Sequence, residues 1–236
     1  MNNYSHPWYV AYTYPVLHFI FKIIIKPVWI KEVTGMERIP VEGPVIIAFN
    51  HQSYFDFLSF MVVCPRPIHF LAAEKFFSHV LWAPLMKLSG QIHVDRRNHE
   101  KNALHDIVDW HLGTGKAIGI FPEGTRAFSD TDMAHAFTGV AKYAVKAKVP
   151  VIPVGIKGAF EVMSRHDKVP KLKKVISIHV GHPIHFTEHH GKEVDEITYR
   201  QLTDKVMIEL SHLSGKTYNH VGKMERDLNA LRHIPK

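Results

Sequence analysis

Short apolar runs alternate with segments of helical spacing along most of the chain. The runs are rich in β-branched residues and bounded by turn-forming residues, a pattern typical of buried strands. They cover residues 45–49, 68–71, 117–120, 151–156 and 175–180. Apolar residues recur at helical spacing in segments 57–63, 98–112, 134–148 and 195–213. This alternation predicts an α/β fold in which a mixed, largely parallel sheet is flanked by helices.

The N-terminal segment is aromatic and nearly free of charge. Residues 1–21 contain no Asp, Glu, Lys or Arg, and the apolar core at 16–25 already includes Lys22. That core is shorter than the roughly 20 residues that cross a bilayer. Trp and Tyr favour the lipid headgroup region, and Lys22 and Lys26 can extend toward phosphates. We predict a monotopic membrane anchor at residues 4–30, within an N-terminal unit 1–33 that precedes one domain at 34–236. An aromatic helix packed on that domain is the alternative.

A histidine and an aspartate follow the first of the predicted sheet strands. His51 comes directly after residues 45–49, where the next helix begins, and Asp56 stands five positions later. Ligands bind at such strand ends because backbone N–H groups at the helix start are free. An imidazole there can take a proton from a hydroxyl while a carboxylate bonds its other nitrogen. Taken alone, the spacing fits a capping aspartate beside an unrelated loop histidine more often than a catalytic pair.

Two sequence blocks together are more specific than that spacing. Asn-His-Gln-Ser-Tyr-Phe-Asp at 50–56 and Phe-Pro-Glu-Gly-Thr-Arg at 121–126 resemble signature blocks of the glycerolipid acyltransferases, the 1-acyl-sn-glycerol-3-phosphate acyltransferases and their relatives. Residues 90–96 resemble the middle block of that family, and residues 149–154 resemble its fourth block. The chain departs from the pattern at Ala127, where Ser is usual, and at Phe137, where lysine is common.

The resemblance implies a catalytic pair and an acceptor site. His51 would deprotonate the free hydroxyl of a lysophospholipid, and Asp56 would steady the imidazole. The substrate-binding residues implied by the blocks are Arg96, Glu123, Gly124, Thr125 and Arg126. A guanidinium such as that of Arg126 suits a phosphate because it donates two parallel hydrogen bonds. Two roles stay open for Glu123: it accepts a hydrogen bond from the acceptor hydroxyl, or it holds Arg96 or Arg126.

The implied reaction moves a fatty acyl group from acyl-CoA or acyl carrier protein to lysophosphatidic acid, giving phosphatidic acid for phospholipid synthesis. The thioester is a co-substrate, and no cofactor is implied. We favour direct attack by the acceptor because the chain has no nucleophile elbow. The alternatives are another lysophospholipid or glycerol 3-phosphate as acceptor, hydrolysis to free fatty acid, and a non-catalytic lipid- or acyl-CoA-binding protein. Residues 76–88 are either a core helix, which we favour, or a cover for the acyl chain.

The amino-acid composition limits the kinds of binding partner that we expect. A net charge of +7 with neutral histidines favours anionic partners such as lipid headgroups. The basic residues are spread along the chain without a nucleic-acid motif, so no nucleic acid is expected. A basic loop suited to phosphates or headgroups contains Lys168, Lys171, Lys173 and Lys174. The single Cys64 favours a reducing compartment, and the histidines show no metal-ligand spacing. We therefore predict a metal-free peripheral protein on the cytoplasmic face of the cell membrane.

Overall fold

The computed structural model describes residues 7–80, 82–94 and 101–222. Its strands are β1 Ile30–Thr34, β2 Val45–Phe49, β3 Ile68–Ala73, β4 Ile92–Val94, β5 Ala117–Ile120, β6 Val151–Lys157 and β7 Ile176–Val180. Its helices are α1 Val10–Trp29, α2 Tyr54–Val63, α3 Glu74–Ser78, α4 Trp82–Leu88, α5 Lys101–Gly113, α6 Gly139–Ala147, α7 Ala159–Val162 and α8 Glu196–Ser214. One-turn 3-10 helices lie at Met36–Arg38 and Thr187–His189.

The strands form one sheet in the order β1-β7-β6-β2-β5-β3-β4. Every neighbouring pair is parallel except β6 and β7, so β1 and β7 run opposite to the other strands. This confirms the predicted mixed, largely parallel sheet. Because β2, β5 and β6 are parallel and adjacent, the loops that follow them meet at one edge of the sheet.

Helices cover both faces of the sheet. The side chains of β2 alternate between two apolar clusters: Ile47 and Phe49 pack with α1 and α2 on one face. Ile46 and Ala48 pack with α5, α6 and α8 on the other face. A strand buried on both faces needs apolar residues at every position, which explains why its sequence is a continuous apolar run.

Residues 76–88 do not form the single core helix that we favoured. The backbone is extended at His79, which ends α3, and α4 starts three residues later. Val80 is 85% exposed, and Phe76 and Trp82 are only half-buried. The interpretation as one buried helix was therefore wrong. Met86 is buried and Trp82 and Leu85 pack against the core, while Phe76, Trp82 and Met86 also line a cavity that is described below.

Helix α1 has two apolar faces. Tyr14, Ile25 and Trp29 are buried, and the helix packs along α2, so it is part of the domain core. The opposite face is apolar but exposed, and it consists of Tyr12, Val16, Phe19, Ile20, Ile23 and Ile24. None of the helices in the described part of the chain combines the length and the hydropathy that a membrane crossing requires.

The predicted boundary between residues 33 and 34 falls inside β1. This strand pairs in parallel with β7 through partners such as Val33 and Ile178, so residues 30–34 belong to the sheet. The division of the chain into an anchor and a catalytic domain stays a prediction. In the structure the segment before residue 34 also supplies part of the core.

Candidate active site

The turn between β2 and α2 brings His51 and Asp56 together. The Nδ1 atom of His51 lies 3.0 Å from Oδ2 of Asp56. Since a carboxylate accepts, Nδ1 carries the hydrogen, and Nε2 is left to take a proton from another group. The side chain of Asp56 is fully buried and that of His51 is 18% exposed. The imidazole also stacks on Phe121, with 4.1 Å between the ring centroids, which limits its rotation.

Asp56 holds the turn as well as the imidazole. Its Oδ2 atom also accepts the backbone N–H groups of Gln52 at 2.6 Å and Ser53 at 2.8 Å. Ser53 is the N-cap of α2 and forms a capping box with Asp56. A helix-capping role and a catalytic role for Asp56 are therefore compatible, because one carboxylate both caps the helix and orients His51.

Glu123 is hydrogen-bonded to the backbone of two other segments. It is 2% exposed, and its Oε1 atom accepts the backbone N–H of His51 at 2.8 Å. Its Oε2 atom accepts the backbone N–H of Ala134 at 2.6 Å. With both oxygens bonded to the backbone, Glu123 ties the loop after β5 to the His51 turn and to residue 134. Glu123 forms no ion pair with Arg126 among the described residues, and its contact with Arg96 or with the acceptor hydroxyl stays a prediction.

Burial raises the pKa of Glu123 to about 7, against the two backbone hydrogen bonds, which lower it. A carboxyl whose pKa is higher in the folded state than unfolded loses part of its stabilising contribution as pH rises between about 4.5 and 7. We expect Glu123→Gln to remove this pH dependence, so that the variant gains stability relative to the wild type across that interval. Urea unfolding at several pH values measures the difference. A difference in unfolding free energy between variant and wild type that stays constant with pH would contradict the burial of a charge at Glu123. The control is Glu193→Gln, because Glu193 is exposed.

The rest of the loop after β5 places a glycine, a threonine and an arginine near His51. Gly124 has φ 63°, and a Cβ there would lie 2.8 Å from the ring of Phe137, so the position favours glycine on two grounds. Thr125 is exposed. The guanidinium of Arg126 lies 3.9 Å from the ring centroid of Tyr54, an arrangement that fixes one face of the cation and leaves its edges open.

His51 and Arg126 line a cavity of about 810 Å³. Its walls are mostly apolar and include Phe57, Phe70, Phe76, Trp82, Met86, Ile120, Phe121 and Tyr143. Two further cations line it, Lys75 and Arg165. Arg165 stacks on Phe128 at 3.8 Å and has a buried Nη1 atom without a hydrogen-bond partner in the described part of the chain.

Sequence reasoning missed Arg165 and Lys75 because nothing in their local sequence distinguishes them from other basic residues. Arg96, the remaining predicted site residue, lies outside the described residues, and its role stays a prediction. Within residues 7–80, 82–94 and 101–222, no group of three or more His, Cys, Asp or Glu side chains is placed to hold a metal ion. The absence of a metal requirement also stays a prediction.

Comparisons with known proteins point in one direction. A family model described as Acyltransferase matches residues 30–157. A probable 1-acyl-sn-glycerol-3-phosphate acyltransferase of Mycoplasma genitalium is 33% identical over 147 residues, 59% of this chain and 54% of that protein. The 1-acyl-sn-glycerol-3-phosphate acyltransferase of Bacillus subtilis is 26% identical over 155 residues, 65% of this chain and 73% of its own length. The chain thus aligns with only about half of the Mycoplasma protein.

A solved structure shares the fold. The crystal structure of the 1-acyl-sn-glycerophosphate (LPA) acyltransferase PlsC from Thermotoga maritima superposes with a TM-score of 0.69 at 21% identity. The match covers 88% of this chain and 82% of that one. At this identity the likeness concerns the arrangement of strands and helices.

Proposed function

This chain belongs to the acyltransferase family, and on that basis we propose that it is an enzyme that moves a fatty acyl group from a thioester to the free hydroxyl of lysophosphatidic acid. The product is phosphatidic acid. The observation that carries the proposal is the hydrogen bond of 3.0 Å between His51 and Asp56, at the wall of an apolar cavity that also contains Arg126. The relatives named as 1-acyl-sn-glycerol-3-phosphate acyltransferases support the choice of acceptor.

The chemical step follows from the imidazole geometry. Nε2 of His51 takes the proton of the acceptor hydroxyl as its oxygen attacks the thioester carbonyl carbon. The new C–O bond forms, the C–S bond breaks, and the leaving thiolate takes the proton back from the imidazolium. Buried Asp56 stabilises that imidazolium through Nδ1–H. General base assistance of this kind is worth on the order of 10²- to 10⁴-fold in rate.

Direct transfer is favoured over a covalent acyl-enzyme. Cys64 is buried, and burial raises its pKa to about 11, so that its thiol stays protonated at neutral pH. Within the described part of the chain, His51 has no hydrogen bond to a serine or threonine hydroxyl that it would activate.

The cavity accommodates both ends of the acceptor. Arg126 and Arg165 offer guanidinium groups to the phosphate, and stacking on Tyr54 and Phe128 holds each cation in place. The apolar walls supply room for a hydrocarbon chain, since a cavity of about 810 Å³ is in the range that binds lipid-sized or drug-sized ligands. Phe137 lies on this wall beside Gly124, where a lysine is common in the family resemblance.

An assay of purified protein tests this function. Acyl-CoA and acyl carrier protein donors are each combined with lysophosphatidic acid, another lysophospholipid, glycerol 3-phosphate and water alone. We expect phosphatidic acid as the main product. Preference for another acceptor would support the same acyl-transfer reaction with a different substrate. Release of free fatty acid would indicate a hydrolase. Binding of thioester or lipid without turnover would indicate a non-catalytic protein.

We also propose that the exposed face of α1 binds a membrane surface on the cytoplasmic side. Phe19 and Ile23 are 64% and 58% exposed, far more than apolar side chains on a helix of the domain core. Lys22 and Lys26 lie beside this face at helical spacing. The absence of any disulfide-forming pair of cysteines is consistent with a reducing compartment.

Substitution of that face is a sharper test than deletion of residues 1–30, because deletion also removes buried Tyr14 and Trp29. We expect Phe19→Ser with Ile23→Ser to weaken binding to phospholipid vesicles at least tenfold, since each lost apolar contact is worth about 1.5–3 kcal/mol. Vesicle sedimentation measures binding. Val41→Ser, which removes an exposed apolar residue outside α1, is the control. Equal sedimentation of all three proteins would refute the anchor.

A further inference from the structure

The loop between α7 and β7 has an unusual surface. Its residues 168–174 are all exposed, and four of the seven are lysines. Two aliphatic side chains stand between them, Val169 at 71% and Leu172 at 79% exposure. Exposed apolar side chains that lie close together on a protein surface mark sites of interaction with a membrane or with another protein. Lysines interleaved with exposed aliphatic residues match a surface that is anionic outside and apolar below.

Part of the positive charge of this loop is unpaired. Lys171 pairs with Asp167, with 3.3 Å between Nζ and Oδ1, and Lys173 lies 3.9 Å from a carboxylate oxygen of Glu161. Lys168 and Lys174 form no ion pair with any side chain that the structure describes. The loop therefore keeps a positive charge available to an anionic partner.

The loop is fastened to the end of α1. The indole Nε1–H of Trp29 donates to the carbonyl of Lys171 at 2.8 Å, and the backbone N–H of Lys171 donates to the carbonyl of Val162 at 2.8 Å. Trp29 ends the helix whose exposed face is the proposed membrane anchor. The end of α1 is thus joined to the loop by a hydrogen bond.

The same loop is joined to the catalytic turn. The hydroxyl of Ser53 donates to the carbonyl of Met163 at 2.6 Å, while the backbone N–H of Ser53 donates to Asp56. Arg165, which lines the cavity, lies between Met163 and the lysines in sequence. A membrane that holds the loop would therefore also hold a residue of the cavity wall.

We propose that residues 168–174 form a second membrane contact, specific for an anionic phospholipid leaflet. Lys168 and Lys174 meet lipid phosphates, and Val169 and Leu172 enter the boundary between headgroups and acyl chains. With α1 this gives two contacts with the leaflet, joined by the bond between Trp29 and Lys171, and Arg165 of the cavity wall lies three residues before the loop contact. The proposal rests on the proposed function for the identity of that acceptor, but the contact itself does not require turnover.

The test compares paired variants of equal charge change. Lys168→Gln with Lys174→Gln alters the loop, and Lys192→Gln with Lys205→Gln alters two exposed lysines elsewhere, one of them on α8 across the sheet. Binding is measured by sedimentation with phosphatidylglycerol-containing vesicles and with pure phosphatidylcholine vesicles. We expect the loop variant to bind anionic vesicles about 25-fold more weakly, since each lysine near such a surface contributes about fivefold. The control variant should bind like the wild type, and neutral vesicles should not distinguish the lysine variants.

A second variant tests the aliphatic residues, and a soluble substrate separates the loop from the active site. Val169→Ser with Leu172→Ser should weaken binding to both kinds of vesicle. Both loop variants should turn over a short-chain lysophosphatidic acid, kept below its micelle-forming concentration, at the wild-type rate. The proposal is overturned by wild-type binding of the loop variants to anionic vesicles, by an equal loss in the control, or by a matching loss of turnover on the soluble acceptor. Absence of turnover in the wild type would instead refute the proposed reaction and leave the sedimentation result valid.

Discussion

Replacing His51 with alanine is expected to reduce acyl transfer by at least the 10²- to 10⁴-fold that general base assistance typically contributes. The fold should survive, because two of the hydrogen bonds that place this residue belong to its backbone. Its N–H donates to Glu123 at 2.8 Å, and its carbonyl accepts the N–H of Ala127 at 2.7 Å. Alanine keeps both bonds and removes the imidazole, together with its hydrogen bond to Asp56 and its stacking on Phe121.

The measurement is initial-rate transfer to lysophosphatidic acid at saturating donor, with circular dichroism and vesicle sedimentation on the same preparation. His182→Ala is the matched control, since that imidazole is exposed and far along the chain from the site. Near-normal turnover by the His51 variant would remove the general base from the mechanism. Loss of folding or vesicle binding along with turnover would show that the imidazole itself supports the structure.

Two central strands of the sheet, β2 and β5, could be predicted from sequence to the residue, and the edge strands β1 and β4 could not be predicted. β2 and β5 are buried along their whole length, so each is an uninterrupted apolar run between turn residues. β1 lies at one edge and has one buried residue in five, and β4 at the other edge has three residues in all. Edge strands are covered incompletely, so polar side chains interrupt the apolar pattern that marks a strand.

The helices show a different limit. Apolar periodicity indicates which side chains are turned away from water, but it does not indicate whether they pack in the core or line a cavity. Residues 76–88 therefore looked like core, although Phe76 and Trp82 face a cavity. In the predicted helix 134–148, the first turn is instead a loop held by long-range hydrogen bonds, from Ala134 to Glu123 and from Phe137 to Pro122. Such bonds depend on residues that the local pattern does not contain.

The candidate site divides in the same way. The family resemblance implied the pairing of His51 and Asp56, which their spacing of five residues alone did not. The place of Glu123 depends on a hydrogen bond to His51, which is 72 positions away. Its structural role could therefore not be predicted from the local sequence. Arg165 reaches the cavity from a loop with no motif. The pair inside one sequence block was thus predictable through the family resemblance, while the groups that the sheet brings together from distant loops needed the structure.

Asp56→Asn should separate the charge of this residue from its geometry. All three hydrogen bonds of the carboxylate go to Oδ2, from His51, Gln52 and Ser53. The Oδ1 atom is buried and has no hydrogen-bond partner in the described part of the chain. An asparagine with its carbonyl oxygen at the Oδ2 position keeps these bonds and places its amide where Oδ1 was. The turn then keeps its shape, and the imidazolium loses the negative charge that stabilises it.

We expect the asparagine variant to fold with nearly wild-type stability and to lose turnover by about 10²- to 10⁴-fold, the upper end being the effect of the same change in the Ser-His-Asp triad. Asp56→Ala should lose turnover and stability together, because each buried N–H left without an acceptor costs about 1–3 kcal/mol. Urea unfolding and initial rates on both variants distinguish the two effects. If the asparagine variant turned over like the wild type, the carboxylate would be a helix cap alone. His51 would then have to work without a charged partner, and the pairing seen at 3.0 Å would be a consequence of the turn and not a part of the mechanism.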